Sequence, residues 1–88
     1  MTNKTFKYYQ DPGHGWIAVK IKVLESLGLS PSDFTVYSYL KGKTMYLEED
    51  GDASKFEEVW NSKFGAFPAY EKKYTNKNSP IRSYPHNY

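Results

Sequence analysis

A chain of 88 residues buries only about 60–65% of the surface it exposes when unfolded, so one core over residues 1–88, with no second domain among them, is the expectation. Nine Tyr, five Phe and two Trp supply that core with large side chains. The absence of Cys excludes disulfide staples, thiolate catalysis and Cys-ligated zinc, and a net charge of +2 names no partner by itself.

The charge is unevenly spread. Residues 1–28 set four lysines against Asp11 and Glu25, residues 29–69 set four lysines against seven acids, and residues 70–88 set Lys72, Lys73, Lys77 and Arg82 against Glu71. An acidic middle between basic ends points to complementarity, within the fold or towards a partner. The opening Met1–Lys7 has no apolar run of the signal-peptide kind, and the apolar stretch from Trp16 to Leu29 is broken by Lys20, Lys22 and Glu25. A soluble, cytoplasmic protein without a membrane partner is expected.

In chain order, Thr5–Tyr9 is rich in β-formers and close to alternating, and predicts a strand. Asp11-Pro12-Gly13-His14-Gly15 predicts a tight turn, and Trp16–Val19 a second strand leaving it. From about Lys20 to Gly28 the period changes: Ile21, Leu24 and Leu27 share one helical face, with Gly28 as the stop. After the loop Ser30–Asp33, Phe34–Leu40 alternates, putting Phe34, Val36, Ser38 and Leu40 on one face. Lys41-Gly42-Lys43 turns the chain and Thr44–Glu48 returns with Met45 and Leu47 inward, a hairpin over about 34–48. Phe56, Val59, Trp60 and Phe64 then mark a helix over about 53–64. Ser54 and Glu57 make a capping-box pattern, with Asp50 or Asp52 as other caps, and Gly65 ends the helix. Pro68–Tyr74 predicts a lysine-decorated edge strand, and Pro80 and Pro85 leave residues 75–88 irregular. The expected architecture is α+β: a small antiparallel sheet with two short helices packed on one face.

Four stretches carry candidate chemistry. In Asp11–Trp16, glycines expose His14 as a ligand contact or general base, with Asp11 orienting it and Trp16 as a stacking platform; the same residues also suit a plain turn. Glu48–Asp52 surrounds a glycine with carboxylates but lacks the calcium-loop spacing, so a capped helix start or a docking patch for a basic partner is expected. Tyr74 with Lys72, Lys73, Lys77 and Arg82, among the C-terminal tyrosines Tyr70 to Tyr88, has the basic and aromatic character of a single-stranded nucleic-acid binder. Arg82, between two prolines beside Tyr84, suits an anchor for phosphate or carboxylate. His14 and His86 are the only imidazoles, and no triad, phosphate loop or His-based metal spacing is present, so no cofactor or metal is expected.

Asp11–Trp16, Tyr37-Ser38-Tyr39, Tyr46–Asp50 and Ser79–Tyr84, in this order, resemble a family of small proteins of unassigned activity carried by bacteriophages and plasmids. The resemblance runs from about residue 6 to residue 84 and carries over no functional residue. It implies an accessory protein that binds and blocks host machinery, including defence systems. The leading expectation is therefore a non-enzymatic module, monomer or homodimer, that binds a host protein through His14, Trp16, Arg82 and Tyr84. A single-stranded nucleic-acid binder is the alternative, and a small-ligand site or hydrolase around Asp11 and His14 the third reading.

Overall fold

The computed structural model describes residues 5–87, so Met1–Lys4 and the last of the C-terminal tyrosines, Tyr88, lie outside the described residues. Five strands form one sheet in the order β3-β4-β2-β1-β5. β1 (Thr5–Gln10) and β2 (Gly15–Lys20) are the antiparallel pair joined by the predicted Asp11 turn, with Tyr9 opposite Trp16. β2 continues into α1 (Ile21–Ser26), which begins where the period changes and ends before Gly28. β3 (Tyr39–Lys41) and β4 (Thr44–Glu48) close a short hairpin, and β4 pairs with β2. α2 (Asp52–Phe64) then carries the chain past β2 and β1 to β5 (Ala69–Tyr74) on the far edge.

The sheet is mixed where an antiparallel one was expected: β5 lies parallel to β1, with Phe6 opposite Tyr70. Topology explains the difference. β4 and β1 both run antiparallel to β2, so they share a direction. A thirteen-residue helix, about 20 Å long, can carry the chain across the two intervening strands, about 14 Å at strand spacing, and start β5 in that same direction.

Alternation decides what each face holds. Phe6, Ile17, Val19, Met45 and Leu47 point to one side, where Ala53, Phe56 and Trp60 of α2 meet them, and Leu24 of α1 joins the same cluster. Phe6 meets Phe56 and Trp60 edge-on, with ring centroids 5.2 Å apart in each case. The opposite face carries Tyr9, Trp16, Tyr39, Tyr46 and Glu48, the residues that alternate with the core positions.

The alternating run before β3 does not form the long strand it predicts. Only Tyr39–Lys41 is strand, and Val36, placed inward by the pattern, is 48% exposed. Side chains take the backbone groups that a ladder would use. The buried Asp52 carboxylate accepts the Thr35 N–H (2.9 Å) and the hydroxyls of Thr35 (2.8 Å) and Ser38 (2.5 Å). The Asn87 amide donates to the carbonyls of Pro31, Phe34 and Thr35. These bonds hold 34–38 as a looped segment, and a pattern of alternating types cannot anticipate them.

The start of α2 is likewise capped differently from the Ser54–Glu57 pattern. The helix begins at Asp52, with Gly51 rather than Ser54 in the N-cap position, and Glu48 of β4 does the capping: its Oε1 accepts the N–H of Gly51 (2.7 Å) and Asp52 (3.1 Å), and Oε2 that of Asp50 (2.9 Å). At the other end Gly65 has φ +74°, the left-handed stop its position predicted.

The last described stretch is not loose. Ser79 caps a 3-10 turn, Pro80–Ser83, by accepting the Ile81 N–H, and Ile81 is buried. Leu40 N–H donates to the Pro85 carbonyl, and Asn87 N–H to that of Ser38. Residues 79–87 thus run from the β1–β2 turn to the outer edge of β3, over the face opposite the core, and cover that edge.

Candidate functional site

The β1–β2 turn is built around one carboxylate. Asp11 Oδ1 accepts the N–H of Gly13 (3.0 Å) and His14 (2.9 Å), which folds the turn, and Oδ2 accepts the Ser79 N–H (2.9 Å). The Arg82 fork completes it, Nε to Oδ2 at 2.6 Å and Nη2 to Oδ1 at 2.8 Å. The Asp11 side chain has no solvent exposure, and the Arg82 guanidinium holds its carboxyl well below the usual carboxylate range, against the effect of burial. The same bond raises the Arg82 pKa. A Cβ on Gly13 would stand 2.8 Å from Arg82 Nη2, so the close approach of the guanidinium needs glycine there.

Arg82 also lies over the Trp16 ring, 5.6 Å from its centroid. Trp16 is 2% exposed: it belongs to the face opposite the core and is covered by Arg82, Tyr39 and His14. Tyr84 sits against Tyr46, with centroids 5.1 Å apart, and beneath Lys41 Nζ. Burial, and the neighbouring Tyr84, raise the Tyr46 pKa. His86 packs on Tyr39 at 4.6 Å with its ring tilted by 33°, and its Nδ1 lies 3.0 Å from the Val36 carbonyl.

These elements enclose a cavity of about 490 Å³ lined by His14, Trp16, Tyr37, Tyr39, Glu48, Asp50, Gly51 and His86. Its size is that of an ordinary ligand pocket, roughly 300–1,000 Å³. Four stretches far apart in the chain converge on it: the His14 turn, the Tyr37–Tyr39 segment, the Glu48–Gly51 corner and His86 of the C-terminal crossing. Two tyrosines, two imidazoles and two carboxylates surround it, and among the described residues no lysine or arginine lines it. Tyr37, one of the lining residues, is 72% exposed.

Of the four residues singled out for binding, His14 and Trp16 line the cavity. Arg82 holds the floor through Trp16, and the carboxylate it anchors is the chain's own Asp11. Tyr84 lies away from the lining, on Tyr46. Asp11 orients His14 through the backbone N–H. Glu48, Asp50 and Gly51 belong to the acidic stretch read as a capped helix start or a docking patch for a basic partner, and the lining residues not singled out are Tyr37, Tyr39 and His86. Of these, Tyr37 and Tyr39 read as strand positions, and their convergence depends on the Asp52 and Asn87 bonds that bend the 34–38 loop.

The basic C-terminal set is dispersed. Lys73 pairs with Glu71 at 3.0 Å on the exposed edge strand, lowering the Glu71 pKa, and Arg82 is engaged by Asp11, while Lys72, Lys77 and Tyr74 are exposed. Among the described residues no group of three or more His, Asp or Glu could hold a metal ion, and no helix is long and apolar enough to cross a membrane. The chain matches no family model, no curated protein and no solved structure with which it was compared.

Proposed function

We propose that the chain is a non-enzymatic binding module that engages a protein partner with the face around the His14–Tyr37–Asp50 cavity. The observation that carries this reading is the convergence of four remote stretches on one open, aromatic and acidic cavity whose lining residue Tyr37 is exposed. The Asp11–Arg82 pair makes the floor beneath it rigid, and a preorganised floor lowers the ordering cost of binding. Catalysis has less support: the one carboxylate beside His14 in sequence spends its lone pairs on Arg82 and three backbone N–H groups.

In the setting that the phage and plasmid resemblance implies, the partner is a host protein met in the host cytoplasm, and occupying its surface is the mode of action. The test is capture from nuclease-treated bacterial lysate with tagged wild type, His14→Ala and Tyr37→Ala, each shown to be folded. A protein retained by wild type and lost from both variants supports the reading. Retention by all three removes the cavity from the interface, and a catch that disappears with nuclease moves the function to nucleic acid, with Lys72, Lys73 and Lys77 next to change.

A further inference from the structure

Resting on that reading, we infer that the cavity is an arginine receptor: it takes the guanidinium of an arginine exposed on the partner protein. Charge selects the ligand's sign. Glu48 and Asp50 line the cavity and, among the described residues, no lysine or arginine does, so an anionic group entering it would meet two carboxylates without a permanent counter-charge. Glu48 spends acceptor capacity on the three N–H groups at the start of α2, whereas the Asp50 carboxylate is on an exposed corner. Asp50 is the acceptor for the incoming fork.

The walls select the ligand's shape. Tyr37 and Tyr39 present ring surface, and a planar, weakly hydrated guanidinium stacks on rings while its N–H fork meets a carboxylate. A lysine ammonium is a compact, strongly hydrated point charge. The molecule already contains one instance of this arrangement next door: Arg82 lies over Trp16 while its fork bonds Asp11. The cavity repeats those parts, rings and carboxylate, without the arginine. The exposed Tyr37 then covers the methylene stem of the incoming residue.

The probe is acetyl-Gly-Arg-Gly-amide, titrated into the ¹⁵N-labelled full chain at about pH 8, where imidazoles are ordinarily neutral. Matched peptides carry citrulline, the neutral isostere, or lysine. The arginine peptide is expected to shift the amides of His14, Tyr39 and Gly51 with a dissociation constant on the order of 1 mM, the scale for one anchored side chain. Citrulline should bind at least about tenfold more weakly and lysine several-fold more weakly, given the strength of charge-assisted forks. Asp50→Asn, an exposed change that leaves the fold intact, should weaken the arginine peptide about fivefold. Equal binding of arginine and citrulline, indifference to Asp50→Asn, or shifts elsewhere or nowhere would overturn the inference. If that happens while partner capture still depends on Tyr37, the arginine assignment alone falls. If capture is also indifferent to Tyr37, the reading of the face falls with it.

Discussion

Replacing Asp52 by Ala removes one of the two side chains, with Asn87, that shape the 34–38 loop. Its Oδ2 is the acceptor for one backbone N–H and two hydroxyls, and the Ser38 side chain it holds is fully buried. A hydrogen bond to a charged group contributes about 1.5–3 kcal/mol, and a buried hydroxyl left unpaired costs a comparable amount. Thr35, being exposed, recovers part of its loss from water, and the variant no longer has to bury a carboxylate. The net cost is about 3 kcal/mol, or a fall in Tm of about 12–24 °C for a domain this small. Urea unfolding followed by circular dichroism measures the first figure, and amide exchange at Tyr37 and Ser38 reports whether the loop itself has loosened. The control is Ser54→Ala, which touches no cap bond and should stay within about 0.5 kcal/mol of wild type. A loss below about 1 kcal/mol in Asp52→Ala, with exchange unchanged, would refute the argument that this carboxylate holds the loop.

Other outcomes follow from the same contacts. The Asp11 carboxyl is depressed in the fold, so the unfolded chain binds its proton first as pH falls. Its contribution to stability is present above about pH 4 and lost below it. Urea midpoints between about pH 6 and pH 2 should fall for wild type and fall less for Asp11→Asn; equal slopes would remove Asp11 from the account. Burial, reinforced by Glu49, pushes the Tyr8 phenol up to about 12, and burial with Glu57 pushes that of Tyr70 higher. Groups raised in this way stabilise the fold below about pH 10 and lose that contribution as pH rises further. An alkaline titration read by phenolate absorbance should therefore show late phenols that ionise only as the fold is lost, and all nine ionising together in the intact fold would contradict this. Phe56→Ala should cost about 3–5 kcal/mol, since that ring is fully buried between Phe6 and Trp60, while the exposed Phe67→Ala should cost almost nothing.

What the sequence disclosed and what it withheld divide along local and non-local physics. Thr44–Glu48, with Met45 and Leu47 inward, and the α2 stripe through Phe56 and Trp60 follow from periodicity, and Gly65 from the left-handed conformation that ends a helix. The direction of β5 does not follow from its own residues, because it is set by what α2 must cross. Phe34–Ser38 has a strand's alternation, yet Asp52 and Asn87, about fifteen and fifty residues away, claim its backbone groups. The site divides in the same way. His14 and Trp16 stood out by their glycine-flanked turn, and Arg82 by its prolines, but the pairing of Arg82 with Asp11 spans 71 positions and leaves no local mark. Tyr37, Asp50 and His86 enter the cavity through the loop, the β4–α2 corner and the C-terminal crossing, none of which has a periodic signature.

The most direct measurement is the affinity of the captured partner for wild type, Tyr37→Ala and Asp50→Asn, compared with Lys72→Ala on the opposite edge of the sheet, by calorimetry on folded proteins. The account predicts that both cavity variants bind at least about tenfold more weakly, while Lys72→Ala binds as wild type does. Wild-type affinity in both cavity variants would contradict it, and would place the interface elsewhere on the molecule.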